Sequence, residues 1–368
     1  MIDFVSPCSG QPLHPDSPHS LADGAGERWP VIDSIPYLRV GSEDLAARAL
    51  ALLDRSDTAG ALVLLLAEND RWWTEPPPPS AQLRHLVDNR DALSLREAMA
   101  LLGWGRVGDY FAHRWTDPTY VAGLALLDAH WSAPATAFEL ACGIGHYLRA
   151  LGQAGVRTVG ADLVFAKLWV ARHWVAPEAT LVCFDAEQPW PMRLRTDIAY
   201  CHDAFYFLDN KAFVAELLRQ TGEAIALAHV HNATHPNLSG GRGMTLADVT
   251  ALFPDALIYA DEELTACGAS GRRPERLFTA NTEAFGIATG APAAIPGPLG
   301  TPPLGTTIAR NPLCVGGAPH WPSARYADEY GPRVTYACRV DVPALATMAP
   351  EWIDAVRRRE LVDLPERW

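Results

Sequence analysis

Five short apolar runs, spaced so that a helix fits between most neighbours, constrain the fold of this chain more than any other feature. They are Thr136–Leu140, Arg157–Asp162, Ala179–Ala186, Thr196–Asp203 and Glu223–Asn232, and each ends at or beside an acid or another polar residue. Strands alternating with helices predict an α/β fold with a mostly parallel sheet, and such sheets bind ligands at the carboxyl ends of their strands. The first run is the most informative. It continues as Ala137-Phe138-Glu139-Leu140-Ala141-Cys142-Gly143-Ile144-Gly145-His146-Tyr147, a strand that breaks into a glycine turn before a helix beginning near Tyr147. Glycine at 143 and 145 permits torsions and a close ligand approach that a side chain would block. A lone G-x-G joins strands to helices in many proteins. Here, however, Asp162 ends the second run 17 residues after Gly145, near the spacing at which α/β nucleotide sites set a carboxylate on the ribose hydroxyls.

On these residues, the segment from Ala137 to about Asn232 resembles the class I S-adenosylmethionine-dependent methyltransferases, whose first motif often reads E-L-A-C-G-x-G. The resemblance implies a Rossmann-like sheet of seven mostly parallel strands, with S-adenosyl-L-methionine as cofactor and S-adenosyl-L-homocysteine as product. It implies that Glu139, Gly143 and Gly145, with Ala141 beside them, hold the amino-acid end of the cofactor. Asp162, followed by Leu163, would bind the ribose, and Asp185 with Ala186 would frame the adenine. The segment Cys201-His202-Asp203-Ala204-Phe205-Tyr206-Phe207-Leu208-Asp209 is similar to the one in which these enzymes line the cofactor pocket and begin the substrate site, which adds Asp203. Two departures leave the subfamily open: His146 follows the glycine loop, and Leu218–Gly222 lacks a proline-glycine pair.

Composition narrows the function classes. With 368 residues, 49% of them hydrophobic, the chain has material for one sizeable core plus additions. Its most apolar run, Ala61–Ala67, is seven residues long, against the roughly 20 needed to span a bilayer. No membrane segment is expected, nor a signal peptide at the amino terminus. A net charge of −13 opposes duplex DNA as a partner, because affinity for nucleic acid draws on clustered lysine and arginine. The run Arg357-Arg358-Arg359 reads as a solvated helix end. Seven cysteines occur without a C-x-x-C pair. Cys142, Cys183 and Cys201 fall in core strands, where reduced thiols pack as small apolar groups, and a cytoplasmic setting is expected.

The flanks predict three additions to a core at 131–285. Residues 1–41, with the hairpin sequence Trp29-Pro30-Val31-Ile32-Asp33-Ser34-Ile35-Pro36, look like a degenerate zinc ribbon. Cys8, His14 and His19 are the local ligands and fall short of a closed four-ligand site, so no metal is expected. Residues 42–130 predict a helical arm, with Ser42 as a cap and helices over Ala61–Trp72 and Leu93–Leu102, interrupted by the linker Pro76–Pro79. Tyr110, Arg114 and Trp115 are placed to close over a cationic sulfonium or else to pack the arm on the core. Residues 286–368 predict a lid or packing extension. A helix is expected over Met244–Phe253, edge strands over Leu257–Tyr259 and Arg276–Asn281, a loop over Ala266–Pro274, and irregular chain over Gly286–Pro312.

Methyl transfer needs alignment and, for a hydroxyl, amine or acidic carbon, removal of a proton. The candidates for that task are His202, Asp203, Tyr206, His229 and His231 at the ends of the fourth and fifth strands. His229 and His231 share a face of an extended strand, as a base with its partner or, with His235, as metal ligands; buried neutral histidine is the competing fate. Asn311-Pro312-Leu313-Cys314 lies too far from the fourth strand to serve as an N-P-P-[YFW] motif. The expectation is a methyltransferase acting on a small molecule, a natural-product or sugar-derived intermediate, with homodimer formation left open. The alternatives are an RNA or protein methyltransferase, an inactive cofactor-binding scaffold, or other chemistry with the same cofactor.

Overall fold

The computed structural model describes residues 2–69, 71, 73–237, 239–276 and 281–368. After β1 (Asp3–Phe4), the opening is an antiparallel meander of β2 (His14–Ser17), β3 (Ser20–Ala22), β4 (Arg28–Ile32) and β5 (Ile35–Pro36). Asp33 and Ser34 turn the last hairpin in the left-handed region, with φ of 51° and 62°. The expected hairpin is present. Among the described residues no cluster of ligating side chains could hold a metal, and Cys8 is exposed and free. Trp29, Ile32, Ile35 and Tyr37 are buried in the main core.

Helices α1 (Glu43–Leu53), α2 (Thr58–Leu66), α3 (Ser80–Asn89), α4 (Leu95–Leu101) and α5 (Gly105–His113) follow. Ser42 precedes α1 without capping it; its hydroxyl donates to Glu68 Oε1 at 3.1 Å. The second helix begins at Thr58, where Asp57 accepts from Gly60 N–H, and ends at Leu66, earlier than expected; Trp72 lies outside the described residues. A 3-10 turn, Arg114–Thr116, leads into α6 (Pro118–Ala129), a helix the sequence reading did not single out. It is apolar all round because it is buried all round.

The core then runs β6 (Thr136–Leu140), α7 (His146–Gln153), β7 (Arg157–Asp162), α8 (Phe165–Val170), β8 (Thr180–Cys183), β9 (Met192–Arg193), β10 (Thr196–His202), α9 (Lys211–Thr221), β11 (Gly222–His231), α10 (Leu246–Leu252), β12 (Leu257–Ala260), α11 (Asp261–Ser270) and β13 (Ala284–Ala288). Seven of these strands form one sheet in the order β12-β13-β11-β10-β6-β7-β8, while β9 pairs with β1. The five adjacent strands β11, β10, β6, β7 and β8 are parallel, and β13 runs antiparallel to both neighbours. This is the expected Rossmann-like arrangement. Leu38 N–H donates to Cys183 O at 2.8 Å, tying the amino-terminal meander to the β8 edge.

In the second half one expectation falls largely outside the described residues and two need correction. The last strand is Ala284–Ala288; most of the expected strand Arg276–Asn281 falls on 277–280, outside the described residues. The expected loop at Ala266–Pro274 is helical as far as Ser270, since α11 packs Leu264 and Cys267 inward and ends at Gly271 with φ of 70°. Gly286–Pro312 is not wholly irregular either. Gly286 lies within β13, and β14 (Thr307–Arg310) forms the centre of a second antiparallel sheet. That sheet belongs to the carboxyl-terminal extension, which continues through β15 (Cys314–Val315), β16 (Ala318–Pro319), α12 (Ala324–Tyr330), β17 (Leu345–Thr347), α13 (Ile353–Arg357) and β18 (Leu361–Val362). Its small core is Ile308, Val342, Met348, Val356 and Leu361. A disulfide joins Cys314 to Cys338, a pairing the sequence reading missed, while Cys142, Cys183 and Cys201 are buried and free.

Candidate functional site

A cavity of about 1020 Å³ opens at the carboxyl ends of β6, β7, β10 and β11. Its floor is the turn after β6, where Ala141, Gly143 and Gly145 have φ of 54°, 55° and 85°. Cys142 N–H donates to Ala161 O and Gly145 N–H to Cys142 O, each at 2.9 Å, which pins this turn to β7. The close approach depends on Gly160 in β7, where a Cβ would lie 2.4 Å from Leu148 and 2.9 Å from Cys142 Sγ. Asp162, at the end of β7, accepts from Gly143 N–H at 3.0 Å and from Val164 N–H at 2.9 Å, with Lys167 Nζ 3.7 Å away. Asp162, Leu163, Asp185 and Ala186 all line the cavity, as do Ala141 and Gly143.

Glu139 and Gly145 stand behind this wall. Glu139 is buried in β6, its Oε2 has no hydrogen-bond partner among the described residues, and burial pushes its carboxyl well above the usual range. An orphaned carboxyl oxygen below a glycine turn is what a polar ligand group or an ordered water would satisfy. The donor set also fits a nucleoside-bearing ligand, with acids at the ends of β7 and β8 and backbone at the turn. Gly145 instead packs against Ala171 and Ala176.

The other end of the cavity is built on Asp203, His229 and Tyr206. Asp203 has φ of 52° and its N–H donates to Ala228 O, a backbone setting that brings its carboxylate to the cavity wall. Tyr110 and Tyr206 hydroxyls donate to it at 2.9 and 2.8 Å, and Arg114 lies 3.4 Å away. Burial alone would raise this carboxyl, but His229, Arg114, His202 and the Tyr206 hydroxyl outweigh it and hold it at about 2. Arg114 itself is buried behind the wall, in the packing role that was one of its two expected places. Its guanidinium reaches Thr119 Oγ1 at 2.7 Å, His202 Nδ1 at 2.5 Å and the Tyr110 ring at 4.8 Å. Trp115 is likewise packed inward, 4.3 Å from the His146 ring. Tyr110 does line the cavity.

The three histidines differ. His202 donates from Nε2 to Thr119 O at 2.9 Å and accepts from Arg114 at Nδ1, so neither nitrogen is left to take a proton from a ligand. Burial and Arg114 together hold its pKa well below the ordinary value. This corrects its place among the proton acceptors. His231 lines the cavity near Asn232 O at 3.3 Å and Glu283 at 3.9 Å, and burial with His229 lowers its pKa. His229 sits in a β-bulge: Leu227 pairs with Ile287 but Val230 with Phe285, so one residue is extra, and His229 has φ of 52°. Bulges of this kind re-aim a side chain. Its Nδ1 lies 3.1 Å from Asp261 Oδ2 and its Nε2 is 4.0 Å from Asp203 Oδ1. Burial would lower its pKa, but Asp261 and Asp203 outweigh burial and raise it.

The extension expected as a lid or packing element completes the roof, with side chains to which the sequence reading gave no site role. Ser323, Tyr326, Tyr330 and Arg333 of the carboxyl-terminal extension line the cavity. Tyr326 donates to the buried Asp117, and Arg333 pairs with Glu283 at 2.8 Å. The tyrosine-rich tail was the available signal; Asp117 and Asp261 look like ordinary helix-capping acids in the sequence.

Residues 138–223 match the family described as Methyltransferase domain. Among solved structures, the CcbJ methyltransferase of Streptomyces caelestis is 14% identical, with 47% of this chain and 96% of that chain covered and a TM-score of 0.37. The amino pentose methyltransferase CalS10 of Micromonospora echinaspora, solved with SAM, is 15% identical over 48% and 91% of the two chains, with a TM-score of 0.34. The magnesium protoporphyrin IX methyltransferase of Synechocystis PCC 6803, solved with SAH, is 17% identical over 38% and 71%, with a TM-score of 0.30. The curated proteins contain no match to the chain. The family match lies within the Rossmann-like core and spans under a quarter of the chain.

Proposed function

We propose that the chain transfers a methyl group from S-adenosylmethionine to a small-molecule acceptor held beneath the carboxyl-terminal extension. The observation that carries this reading is the single cavity of about 1020 Å³ running from Gly143, Asp162 and Ala186 to Tyr206 and His229. Ligand pockets commonly measure about 300–1,000 Å³, so this one has room for a donor and an acceptor together. Gly143 and the region of Glu139 would hold the donor's amino-acid end, Asp162 its ribose, and Asp185 with Ala186 its adenine. The donor supplies an electrophilic methyl group on a sulfonium. Tyr110, whose hydroxyl is bonded to Asp203, would shield the reacting end from water. No helix among the described residues is long and apolar enough to cross a membrane.

Two observations favour this over the rivals. An inactive scaffold is expected to fill its acceptor pocket with its own side chains, and the space beside Tyr206 and His231 is open. An RNA methyltransferase needs a continuous positive groove, whereas Arg106, Arg325 and Arg333 here alternate with Glu187, Glu283, Asp328 and Glu329 along the wall. For the compartment, the Cys314–Cys338 disulfide weighs against the reducing cytoplasm expected from the sequence.

The test is calorimetric titration with S-adenosylmethionine and S-adenosylhomocysteine, on the native chain and on Ala186→Trp, which fills the adenine end. Micromolar binding lost in the variant is expected, followed by release of S-adenosylhomocysteine with the dialysable fraction of a cell extract. No binding by the folded native chain, or turnover confined to the retained macromolecules, would refute the reading.

A further inference from the structure

We propose that His229, oriented by Asp261, is the proton acceptor of this site, and that the acceptor molecule it serves presents a hydroxyl group. The inference rests on the methyl-transfer reading above. Asp261 is the first residue of α11, only 1% exposed, and lies behind the cavity wall rather than on it. Its Oδ2 is 3.1 Å from His229 Nδ1, an ion-pair contact without the angle of a hydrogen bond, and neither His229 Nδ1 nor Asp261 Oδ1 makes a hydrogen bond among the described residues. A carboxylate at this distance favours the proton on Nδ1, which leaves the Nε2 lone pair free. The β-bulge turns that side of the ring to the cavity, where Asp203 Oδ1 is 4.0 Å away. His229 is thus the one histidine of the three with a buried carboxylate on one nitrogen and open space at the other.

The charges around the ring select the acceptor class. Facing His229 are Asp261 from α11, Asp203 from the end of β10, the rings of His202 and His231 at 6.3 and 6.2 Å, and Arg333 from the carboxyl-terminal extension. Glu283 pairs with Arg333 and lies 3.9 Å from His231, while Arg114 stands beyond Asp203 and His202. Two carboxylates in direct reach of one imidazole favour a positive charge at that spot, even against the cost of burial. An aliphatic amine bound there would be held as its ammonium, with no lone pair to attack carbon. A hydroxyl arrives neutral, and giving its proton to the ring is what makes its oxygen a strong nucleophile. In the balanced step the acceptor oxygen passes its proton to Nε2 and bonds the methyl carbon as the carbon–sulfur bond breaks. That electron pair stays on sulfur, so the positive charge moves from sulfonium to imidazolium, beside Asp203 and Asp261.

The experiment is a titration of the full chain, carrying 15N-labelled histidine and saturated with S-adenosylhomocysteine, followed by NMR. The native protein, Asp261→Asn and His229→Gln are compared, with retained S-adenosylhomocysteine binding as the check on folding. A histidine protonated at Nδ1 and titrating above 6.5 is expected, absent in His229→Gln, with its midpoint lower by about 1 unit or more in Asp261→Asn. A midpoint unmoved by Asp261→Asn, or a native ring protonated only at Nε2, would overturn the assignment. The acceptor class is read separately, by mass spectrometry of product formed from deuteromethyl S-adenosylmethionine and the dialysable extract. An oxygen-bound label, formed about 100-fold more slowly by Asp261→Asn, supports it; a nitrogen- or carbon-bound label overturns it. No labelled product at all would overturn the methyl-transfer reading and the hydroxyl class with it, while the histidine titration would still decide the Asp261–His229 pair.

Discussion

Replacing Asp162 tests the cofactor site, but the structure says that the obvious variant does two things at once. The Asp162 carboxylate already accepts from Gly143 N–H and Val164 N–H within the protein. Asp162→Ala strands both donors. Each unsatisfied buried group costs about 1–3 kcal/mol, giving about 2–6 kcal/mol in total, with water entering the vacated space favouring the lower end. With Asp162 on the ribose, as proposed above, the ligand would also lose a charge-assisted bond worth about 1.5–3 kcal/mol, or about 10- to 150-fold in affinity. A collapsed Gly143 turn would add to that loss without any ribose contact. Asp162→Asn separates the effects, because its amide oxygen still accepts one of the two N–H groups while the charge is gone. The expected order in stability is native, then Asn, then Ala, with binding falling at least about tenfold in Asn for a smaller stability loss. Urea unfolding and calorimetric titration with S-adenosylhomocysteine measure the two quantities on the same preparations. Asp162→Ala within about 0.5 kcal/mol of native stability, or Asp162→Asn with undiminished affinity, would refute this account of the turn.

Further expectations follow from single sites. Gly123→Ala in α6 should destabilise by about 1–3 kcal/mol in thermal or urea unfolding, against the usual gain of up to about 1 kcal/mol for alanine in a helix, because its Cβ would meet Tyr147 Oη at 2.2 Å and Tyr200 Oη at 2.5 Å. Burial raises Asp117 from 3.8 to about 7 despite Arg114 and the Tyr326 hydroxyl. The folded chain therefore keeps a proton that the unfolded chain releases above about pH 4, so stability is full below that pH and falls as pH rises towards 7, by at most about 4 kcal/mol; Asp117→Asn should flatten that part of the curve in urea titrations at several pH values. Reduction of Cys314–Cys338, which lie 24 residues apart, removes a constraint worth about 3 kcal/mol, and limited proteolysis should then cut between 314 and 338 faster than in the oxidised protein.

The sequence made the sheet legible because each central strand is an apolar run ending where the chain turns polar, so its carboxyl end could be read directly. The glycine turn, Asp162 and Asp185 came with it, being tied to strand ends by short local spacing. What stayed hidden depends on distance along the chain. Asp261 is 32 residues beyond His229, in an acidic run that reads as helix capping. Tyr326 meets Asp117 across most of the domain, and the Cys314–Cys338 pair carries no motif. Helix α6 was missed for a different reason. Buried on all sides, it shows no amphipathic stripe, and periodicity cannot report a helix that has no solvent face. The β13 and β14 strands were misplaced because nearby glycine and proline outweighed short apolar stretches whose partners lie elsewhere in the chain.

Three of the non-glycine residues with positive φ, Ala141, Asp203 and His229, stand at or beside the carboxyl ends of β6, β10 and β11, the three adjacent strands at the centre of the sheet. Each costs about 1–2 kcal/mol relative to ordinary backbone, and glycine would relieve it at any of them. Relief is least disruptive at Ala141, whose side chain is one methyl. At Asp203 and His229 it would remove the carboxylate and the imidazole that face each other across 4.0 Å. A regular end to β10 and an unbulged β11 would point those groups elsewhere, since side-chain direction alternates along an extended strand. The left-handed turn at Asp203 and the extra residue at His229 act together. One brings a carboxylate held at about 2 to the wall, and the other brings an imidazole backed by Asp261 to meet it. At Asp203 and His229 the strain thus falls on side chains that regular sheet geometry would point elsewhere, and the buried β6–β10–β11 ladder and the packing of α6 and α11 hold those positions in place.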